Sequence, residues 1–269
     1  MNMPLSLDHV VILVTDLEAA ISDYSALGFT VQRGGNHADG ATHNALVGFA
    51  DGSYLELIAF LKPAPQHRWA AAAQRGVPGY IDFALLPSSV AEVVEAARAR
   101  GLGYQGPVDG GRLRPDGERL QWQTGVPPSP DLPFLCCDVT PRALRVREGD
   151  VRQHANGVQG VALVSVLVRD LAESVARYQA LLGAQAPRQV SVRHLAGLDQ
   201  QLALLPLGDT TLALVAPSAG AAADAPLPSL LAQRGEGVLG LTLRGAVGGK
   251  HLALSRTLAH GAAMDIASG

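Results

Sequence analysis

Cysteine is scarce in this 269-residue chain, and the two that are present, Cys136 and Cys137, are neighbours. Adjacent cysteines rarely satisfy the geometry of a disulfide, so a secreted fold stapled by disulfides is excluded. Two cysteines can also ligate a metal ion, but a small buried apolar residue is the commoner role of a free cysteine. The sequence therefore predicts a reduced, cytoplasmic protein.

The chain also lacks runs of like charge and long apolar runs. Its 21 basic and 24 acidic residues give a formal net charge of −3, whereas a nucleic-acid partner would require a basic stripe. No segment approaches the ~18 apolar residues of a membrane span, so we expect no membrane partner. The opening residues, Met-Asn-Met-Pro, lack a basic region followed by an apolar core, and we expect no signal peptide.

Three common catalytic motifs are missing as well. There is no P-loop, no Rossmann glycine pattern after a strand and no Gly-x-Ser-x-Gly elbow. We therefore expect neither a nucleotide cofactor nor serine hydrolysis. At 48% hydrophobic residues the chain is too apolar to be disordered, so it must bury a substantial core.

An internal repeat is the most informative feature that is present. Shifting residues 10–27 by 154 positions aligns them with residues 164–181. The identical residues in the first copy are Val10, Leu13, Val14, Asp16, Leu17, Tyr24, Ala26 and Leu27. This match indicates that one structural unit occurs at least twice.

The residue pattern of this unit predicts its secondary structure. The β-branched run His9–Thr15 predicts a strand, and Asp16 is typical of a helix N-cap. Apolar residues then recur at helical spacing, and Gly28 predicts the end of the helix. Three strands are predicted to follow, at Phe29–Arg33, Ala41–Phe49 and Ser53–Phe60. The unit is therefore a βαβββ module.

A weaker second copy follows at a shift of 73 positions, which places Ser89 at Asp16 and Gly101 at Gly28. Its predicted strand and helix are followed by three strands, giving Ile81–Leu86, Val90–Arg100, Gln105–Val108, Arg119–Thr124 and Leu132–Val139. The second copy thus predicts the same βαβββ order as the first.

The third copy spans residues 158–216, and an Ala- and Pro-rich linker is predicted at Ala219–Pro228. The fourth copy is short, with a strand at Val238–Leu243, a helix at Val247–His260 and at most one further strand. One module cannot bury its own sheet, so modules must pair. The sequence predicts an α+β fold of two domains, residues 1–145 and 146–269. Four arginines near the junction are expected to pair with acids: Arg142, Arg145, Arg147 and Arg152.

Three motifs carry a resemblance to a known family: Leu7-Asp8-His9-Val10-Val11, Gly40-Ala41-Thr42-His43-Asn44 and Tyr54-Leu55-Glu56-Leu57. They resemble the glyoxalase-like group of the vicinal oxygen chelate superfamily, and the match is best over residues 5–140. The resemblance implies that paired modules form cup-shaped mixed sheets with a divalent metal ion inside. One fold hosts many chemistries, so it says little about the reaction.

The resemblance implies His9 and Glu56 as metal ligands, with Asp82, at the matching position of the second copy, as a further ligand. Imidazole and carboxylate suit Zn, Fe, Mn or Ni. Strand alternation places Tyr54, Glu56 and Ile58 on one face, and an inward carboxylate is costly unless it is paired or bound to metal. A direct bond between His9 and Glu56 in a wet barrel is the structural alternative.

The other copies depart from this pattern. The position that matches Glu56 in the second copy falls within residues 134–138, where the metal enzymes of the superfamily have a glutamate. In the third copy Leu163 and Ala213 stand at the positions of His9 and Glu56, so we expect no metal site in the second half.

Two further histidines lie near the predicted site. We interpret His43 as catalytic together with Glu56, and either His43 or His37 could complete a ligand set. His37 lies in a predicted loop, where a solvated residue is the alternative. The predicted substrate-binding residues are Asn44, His37, Tyr54 and Trp122.

Two classes of function remain open. A metal-dependent lyase or isomerase would chelate adjacent oxygens of a small substrate, stabilise an enolate and move a proton. An extradiol-type dioxygenase is less favoured, because its second histidine is not securely placed. The alternative class is a metal-free binding or resistance protein that holds a small molecule in the same cup. The edge left by the short fourth copy would suit a homodimer contact.

Overall fold

The computed structural model describes residues 4–114, 116–195, 197–245 and 251–268. Within those ranges the chain forms two mixed sheets with helices packed against them. The strands of the first half are β1 (Ser6–Leu13), β2 (Gln32–His37), β3 (Thr42–Gly48), β4 (Tyr54–Phe60), β5 (Gly79–Leu86), β6 (Gln105–Leu113), β7 (Arg119–Val126) and β8 (Phe134–Asp138). Its helices are α1 (Leu17–Ala26), α2 (Ala70–Arg75) and α3 (Val90–Ala99).

The first sheet closes into a barrel in the order β1-β4-β3-β2-β6-β7-β8-β5. β1 and β5 pair in an antiparallel register that places Val10 opposite Phe83, with His9 and Val11 opposite Ala84 and Asp82. This register is symmetric under a shift of 73 positions, so it confirms that Asp82 is the counterpart of His9. The predicted α+β fold of repeated modules is also confirmed, with closure into a barrel rather than an open cup.

A short helix α4 (Arg142–Arg145) and a 3-10 turn (Gly149–Arg152) connect the two sheets. The second half contains β9 (Val158–Leu167), α5 (Leu171–Leu182), β10 (Val192–Leu195), β11 (Gln200–Leu207), β12 (Thr210–Pro217), α6 (Pro226–Arg234), β13 (Gly237–Gly245), β14 (Leu252–Ala253) and β15 (Met264–Ala267). Its sheet has the order β10-β11-β12-β9-β13-β15-β14.

The register of the second sheet repeats that of the first. β9 and β12 are parallel with Leu163 opposite Thr211, just as His9 lies opposite Tyr54 between β1 and β4. Ala213 therefore occupies the position of Glu56, as the sequence predicts.

The predicted helix starts are confirmed in both halves. The Asp16 side chain accepts bonds from the backbone N–H groups of Glu18 and Ala19, and Asp170 accepts one from Glu173 at the start of α5. Gly28, with a φ of 88°, follows the end of α1 in the left-handed region that glycine adopts without strain. Local capping thus sets the same strand–helix turn in both copies.

The predicted bounds of the strand Phe29–Arg33 are wrong, because β2 begins later, at Gln32. Thr30 directs its backbone N–H to His154 Nδ1 at 3.0 Å and its hydroxyl to the Gln153 carbonyl at 2.6 Å. These bonds to the connecting segment replace a strand ladder. The strand instead extends through His37, which was predicted to lie in a loop.

The fourth copy also differs from its prediction. The first residues of the predicted helix Val247–His260 lie outside the described residues, and residues 256–261 form turns. His260 and Gly261 have φ angles of 50° and 81°, which a right-handed helix does not allow. Two short strands, β14 and β15, follow β13 instead of at most one. The helix α6 begins at Pro226, inside the predicted linker.

Asp131 joins the two halves. It is fully buried in the loop before β8, and its carboxylate accepts bonds from Ser174 at 2.8 Å and Arg177 at 2.9 Å, both on α5. The Tyr178 hydroxyl donates to the Asp131 carbonyl at 2.6 Å. One acid therefore satisfies three side chains of the neighbouring helix. None of the helices in the described ranges is long and apolar enough to span a membrane.

Replacing Asp131 with alanine is expected to lower the free energy of unfolding by about 3 kcal/mol or more, because Ser174 and Arg177 lose a buried partner. Urea denaturation followed by circular dichroism measures this change. The matched control is Asp224→Ala, an exposed acid whose loss should cost less than about 0.5 kcal/mol. Equal losses in the two variants would contradict the role assigned to Asp131.

Candidate functional site

A cavity of about 290 Å³ lies inside the barrel of the first half. Its polar lining includes His9, His37, Thr42, Asn44, Glu56 and Arg112. Its aromatic and sulfur-bearing lining includes Tyr54, Trp69, Trp122, Phe134 and Cys136. The barrel thus encloses a polar group of side chains within an apolar wall.

Glu56 is the central residue of this group and is only 6% exposed. One carboxylate oxygen accepts a bond from Asn44 Nδ2 at 2.6 Å and lies 3.6 Å from His37 Nε2. The other oxygen lies 3.4 Å from His9 Nε2. Burial alone would raise the pKa of Glu56, but the hydrogen bond and charge of His9, aided by His37 and Asn44, lower it to about 2. Glu56 is therefore an ionised carboxylate surrounded by nitrogen donors.

His9 bridges Glu56 and a second acid, Asp8. Its Nδ1 lies 2.8 Å from Asp8 Oδ2, and its ring stacks on Tyr54 at a centroid distance of 4.5 Å. Burial opposes protonation of the imidazole, yet the two flanking carboxylates outweigh it and raise the pKa of His9. When the imidazole is protonated, both ring nitrogens carry N–H groups, one on the side of each acid.

Asp8 is fully buried, and two arginines of the connecting segment hold it. Arg145 Nη1 lies 3.0 Å from Asp8 Oδ2, and Arg142 Nη1 lies 2.6 Å from Asp8 Oδ1. Arg145 also binds Asp138 at 2.7 Å and donates to the Tyr54 hydroxyl. Burial would raise the pKa of Asp8, but chiefly the charge of Arg145 holds it well below its usual range.

The expectation that the junction arginines pair with acids is confirmed for all four. Arg147 lies 3.7 Å from Asp116, and Arg152 lies 3.8 Å from Glu148. Arg142 and Arg145 differ from these surface pairs, because they share the fully buried Asp8 behind His9, and Arg145 itself lines the cavity. The connecting segment is therefore part of the site.

His37 is the second histidine at Glu56. Its Nδ1 lies 2.7 Å from the Thr42 hydroxyl, and its ring meets Trp122 edge-on at 6.0 Å. Burial lowers the pKa of His37, so this imidazole is neutral at neutral pH. A hydroxyl that donates to Nδ1 leaves Nε2–H directed at Glu56.

The structure brings together five of the predicted site residues besides Glu56: His9, His37, Asn44, Tyr54 and Trp122. It does not bring His43 to them. Thr42 and Asn44 line the cavity, so strand alternation directs His43 to the opposite face, on the side of Glu18. A catalytic role for His43 therefore disagrees with its position, and His37 lies at Glu56 instead.

Asp82 also has other partners than those predicted. Its carboxylate accepts bonds from Arg68 at 2.6 Å and from Trp69 Nε1 at 2.8 Å. The Arg68 guanidinium in turn lies 4.4 Å from the centre of the Phe134 ring. A guanidinium and an indole thus bind the carboxylate of Asp82, which does not line the cavity.

Phe134 occupies the position that corresponds to Glu56. Ala84 lies opposite Phe134 in the β5–β8 pair, just as Val11 lies opposite Glu56 in the β1–β4 pair. The carboxylate that the family pattern expects there is replaced by a ring that packs against His9 at 5.2 Å. The second module therefore supplies no carboxylate at the position of Glu56.

The donor set does not fit the divalent metal ion that the resemblance implies. His9 Nε2 and His37 Nε2 face different oxygens of Glu56, at 3.4 Å and 3.6 Å. Asp82 has other partners, and burial raises the pKa of the Cys136 thiol. Within the described ranges, no three His, Cys, Asp or Glu side chains form a group able to hold a metal ion.

Sequence reasoning missed Asp8, Thr42, Arg112 and Arg145 as residues of this site. Asp8 gave a signal, since an acid beside His9 in an apolar strand requires a partner. Arg145 gave none, because its contact with Asp8 spans 137 positions of chain.

Comparison with known proteins agrees with this architecture. Residues 7–182 match the model of a family described as a glyoxalase-like domain. A hypothetical protein from Staphylococcus aureus superposes with a TM-score of 0.73 at 12% identity, covering 98% of this chain and 100% of that one. A mutant 4-hydroxymandelate synthase from Streptomyces coelicolor gives 0.61 at 15% identity, covering 95% and 78%. At these identities the likeness shows the fold alone, and no curated protein sequence matches the chain.

Replacing Arg145 with methionine is expected to cost about 3–5 kcal/mol of unfolding free energy, because Asp8 is left as a buried carboxylate with one fewer cation. Urea denaturation at neutral pH measures the loss. The control is Arg147→Met, whose half-exposed ion pair with Asp116 contributes less than about 1 kcal/mol. If both variants were equally stable, Asp8 would not depend on Arg145.

Proposed function

The chain belongs to the glyoxalase-like domain family, and on that premise we propose that its barrel cavity is an enzyme active site. The proposed reaction moves a proton on the carbon next to a carbonyl group of a small oxygen-bearing substrate, as in an isomerase or lyase. The observation that carries this proposal is Glu56, an ionised buried carboxylate that faces a cavity of about 290 Å³. That volume suits a small substrate.

Glu56 is the proposed base. In the free protein its pKa of about 2 makes it a weak one, because His9, His37 and Asn44 all stabilise its charge. A substrate oxygen that accepts N–H bonds from the two imidazoles removes part of that stabilisation. The basicity of Glu56 then rises when the substrate is in place, which couples binding to proton abstraction.

His9 is the proposed electrophile. The C–H bond of the substrate breaks, its proton goes to Glu56, and the electron pair passes to the carbonyl oxygen as an enolate. The charged Nε2–H of His9 stabilises that oxygen, and Asp8 stabilises the imidazolium from the other side. Glu56 then returns a proton to the same carbon, which restores the carbonyl group and the starting state of the protein.

Deuterium exchange tests this proposal with simple carbonyl compounds in place of the natural substrate. Pyruvate, 2-oxobutyrate and dihydroxyacetone are incubated with the protein in D2O, and loss of the proton signal next to the carbonyl is followed by NMR. We expect at least one probe to exchange, at a rate that Glu56→Gln lowers about 100- to 10,000-fold. The control Glu92→Gln, an exposed glutamate on α3, should exchange at the rate of the unmodified protein.

Two further results distinguish the metal-independent enzyme from a metal-dependent enzyme and from a binding protein. Exchange that persists after dialysis against EDTA supports the proposal, whereas loss restored by Zn, Fe, Mn or Ni would replace it with the metal-dependent enzyme. Saturable binding of the probes without exchange would contradict the enzyme and favour a binding protein. Phe134 at the position of a second carboxylate is the observation that favours this second function.

A further inference from the structure

The second sheet carries a groove of its own. It has a volume of about 470 Å³ and lies between α6 and the strands β9, β13 and β15. The half-buried apolar side chains of its lining include Leu230, Leu239 and Leu254. This groove lies on the sheet where Ala213 replaces Glu56, so it lacks the base proposed for the barrel cavity. It is therefore a separate site with different chemistry.

Arg234 in the last turn of α6 is the unusual residue of this groove. It is half-buried, yet within the described ranges it has no hydrogen bond or ion pair. Other partly buried arginines do have acid partners, such as Arg177 with Asp131. The negative end of the helix dipole favours a cation there, but this interaction is weak compared with an ion pair. The guanidinium is thus left largely uncompensated.

Arg256 lines the same groove and adds a second positive charge. Burial, together with the charge of Arg256, lowers the pKa of Arg234, which reflects the repulsion between the two groups. The acid in the groove, Asp265, forms an ion pair with His251 instead. An anion between the two guanidinium groups would relieve their repulsion and receive several N–H bonds.

We propose that this groove binds a small organic anion with an apolar chain, such as a medium-chain carboxylate. Its carboxylate lies between Arg234 and Arg256, and its chain covers the half-buried apolar side chains of Leu230 and Leu239. The arginines bind the carboxylate of such a ligand, and the apolar side chains bind its hydrocarbon chain. This binding is independent of the reaction proposed for the barrel.

Octanoate is the probe, and methyl NMR of the intact chain is the measurement. We expect saturable shifts of the methyl signals of Leu230 and Leu239, whose side chains line the groove. Two matched compounds dissect the recognition: octanamide lacks the charge, and butyrate lacks most of the chain. Each should bind at least about tenfold more weakly, because each loses one of the two interactions.

Variants complete the test. Arg234→Gln should weaken octanoate binding about tenfold or more, and Arg234→Gln/Arg256→Gln further, while the exposed Arg188→Gln in the same half should bind as the unmodified protein does. The proposal is overturned if octanoate gives no saturable shift, shifts only barrel methyls, or binds the arginine variants unchanged. Shifts that depend on protein concentration without ligand would also overturn it, since a second copy would then occupy the groove.

Discussion

A buried ion pair between Asp8 and Arg145 is the interaction on which the barrel site depends. Asp8 is 0% exposed and Arg145 is 5% exposed, so water screens neither charge. Alone, either group would be costly to bury, but together with Arg142 and Asp138 they form a satisfied network. That network fixes an ionised acid behind His9, and this acid together with Glu56 raises the pKa of the imidazole. The connecting segment between the sheets therefore controls the protonation of the site.

Duplication of one module explains why the two halves have the same strand register but different polar residues on their inner faces. The register between the first and last strands of a module is the same in both halves, because it needs only backbone bonds and apolar contacts. The inward side chains are free to differ. His9 and Glu56 face a closed barrel, whereas Leu163 and Ala213 stand at the matching positions of an open sheet. The module keeps its fold when its polar residues are lost.

The sequence predicts the modules well because helix caps, turns and alternation are local. Strand parity alone is enough to place Tyr54 and Glu56 on the inner face. The same rule would have excluded His43 had its parity with Asn44 been applied. The partners of Asp82 and Asp8 were not predictable, since Arg68 and Arg145 reach them through tertiary contacts and no local pattern encodes these. The pairing of β2 was missed because the residues before it bond to the connecting segment.

The central claim is that Asp8 and Glu56 keep His9 charged while burial keeps His37 neutral. A titration of the ¹⁵N-labelled histidine rings by NMR between pH 4 and pH 9 tests it most directly. The account predicts that His9 loses its proton above the ordinary pKa of 6.5 and that His37 loses its proton below that value. If His9 titrated below 6.5, or if the two histidines titrated in the reverse order, the network would not hold the charge assigned to it.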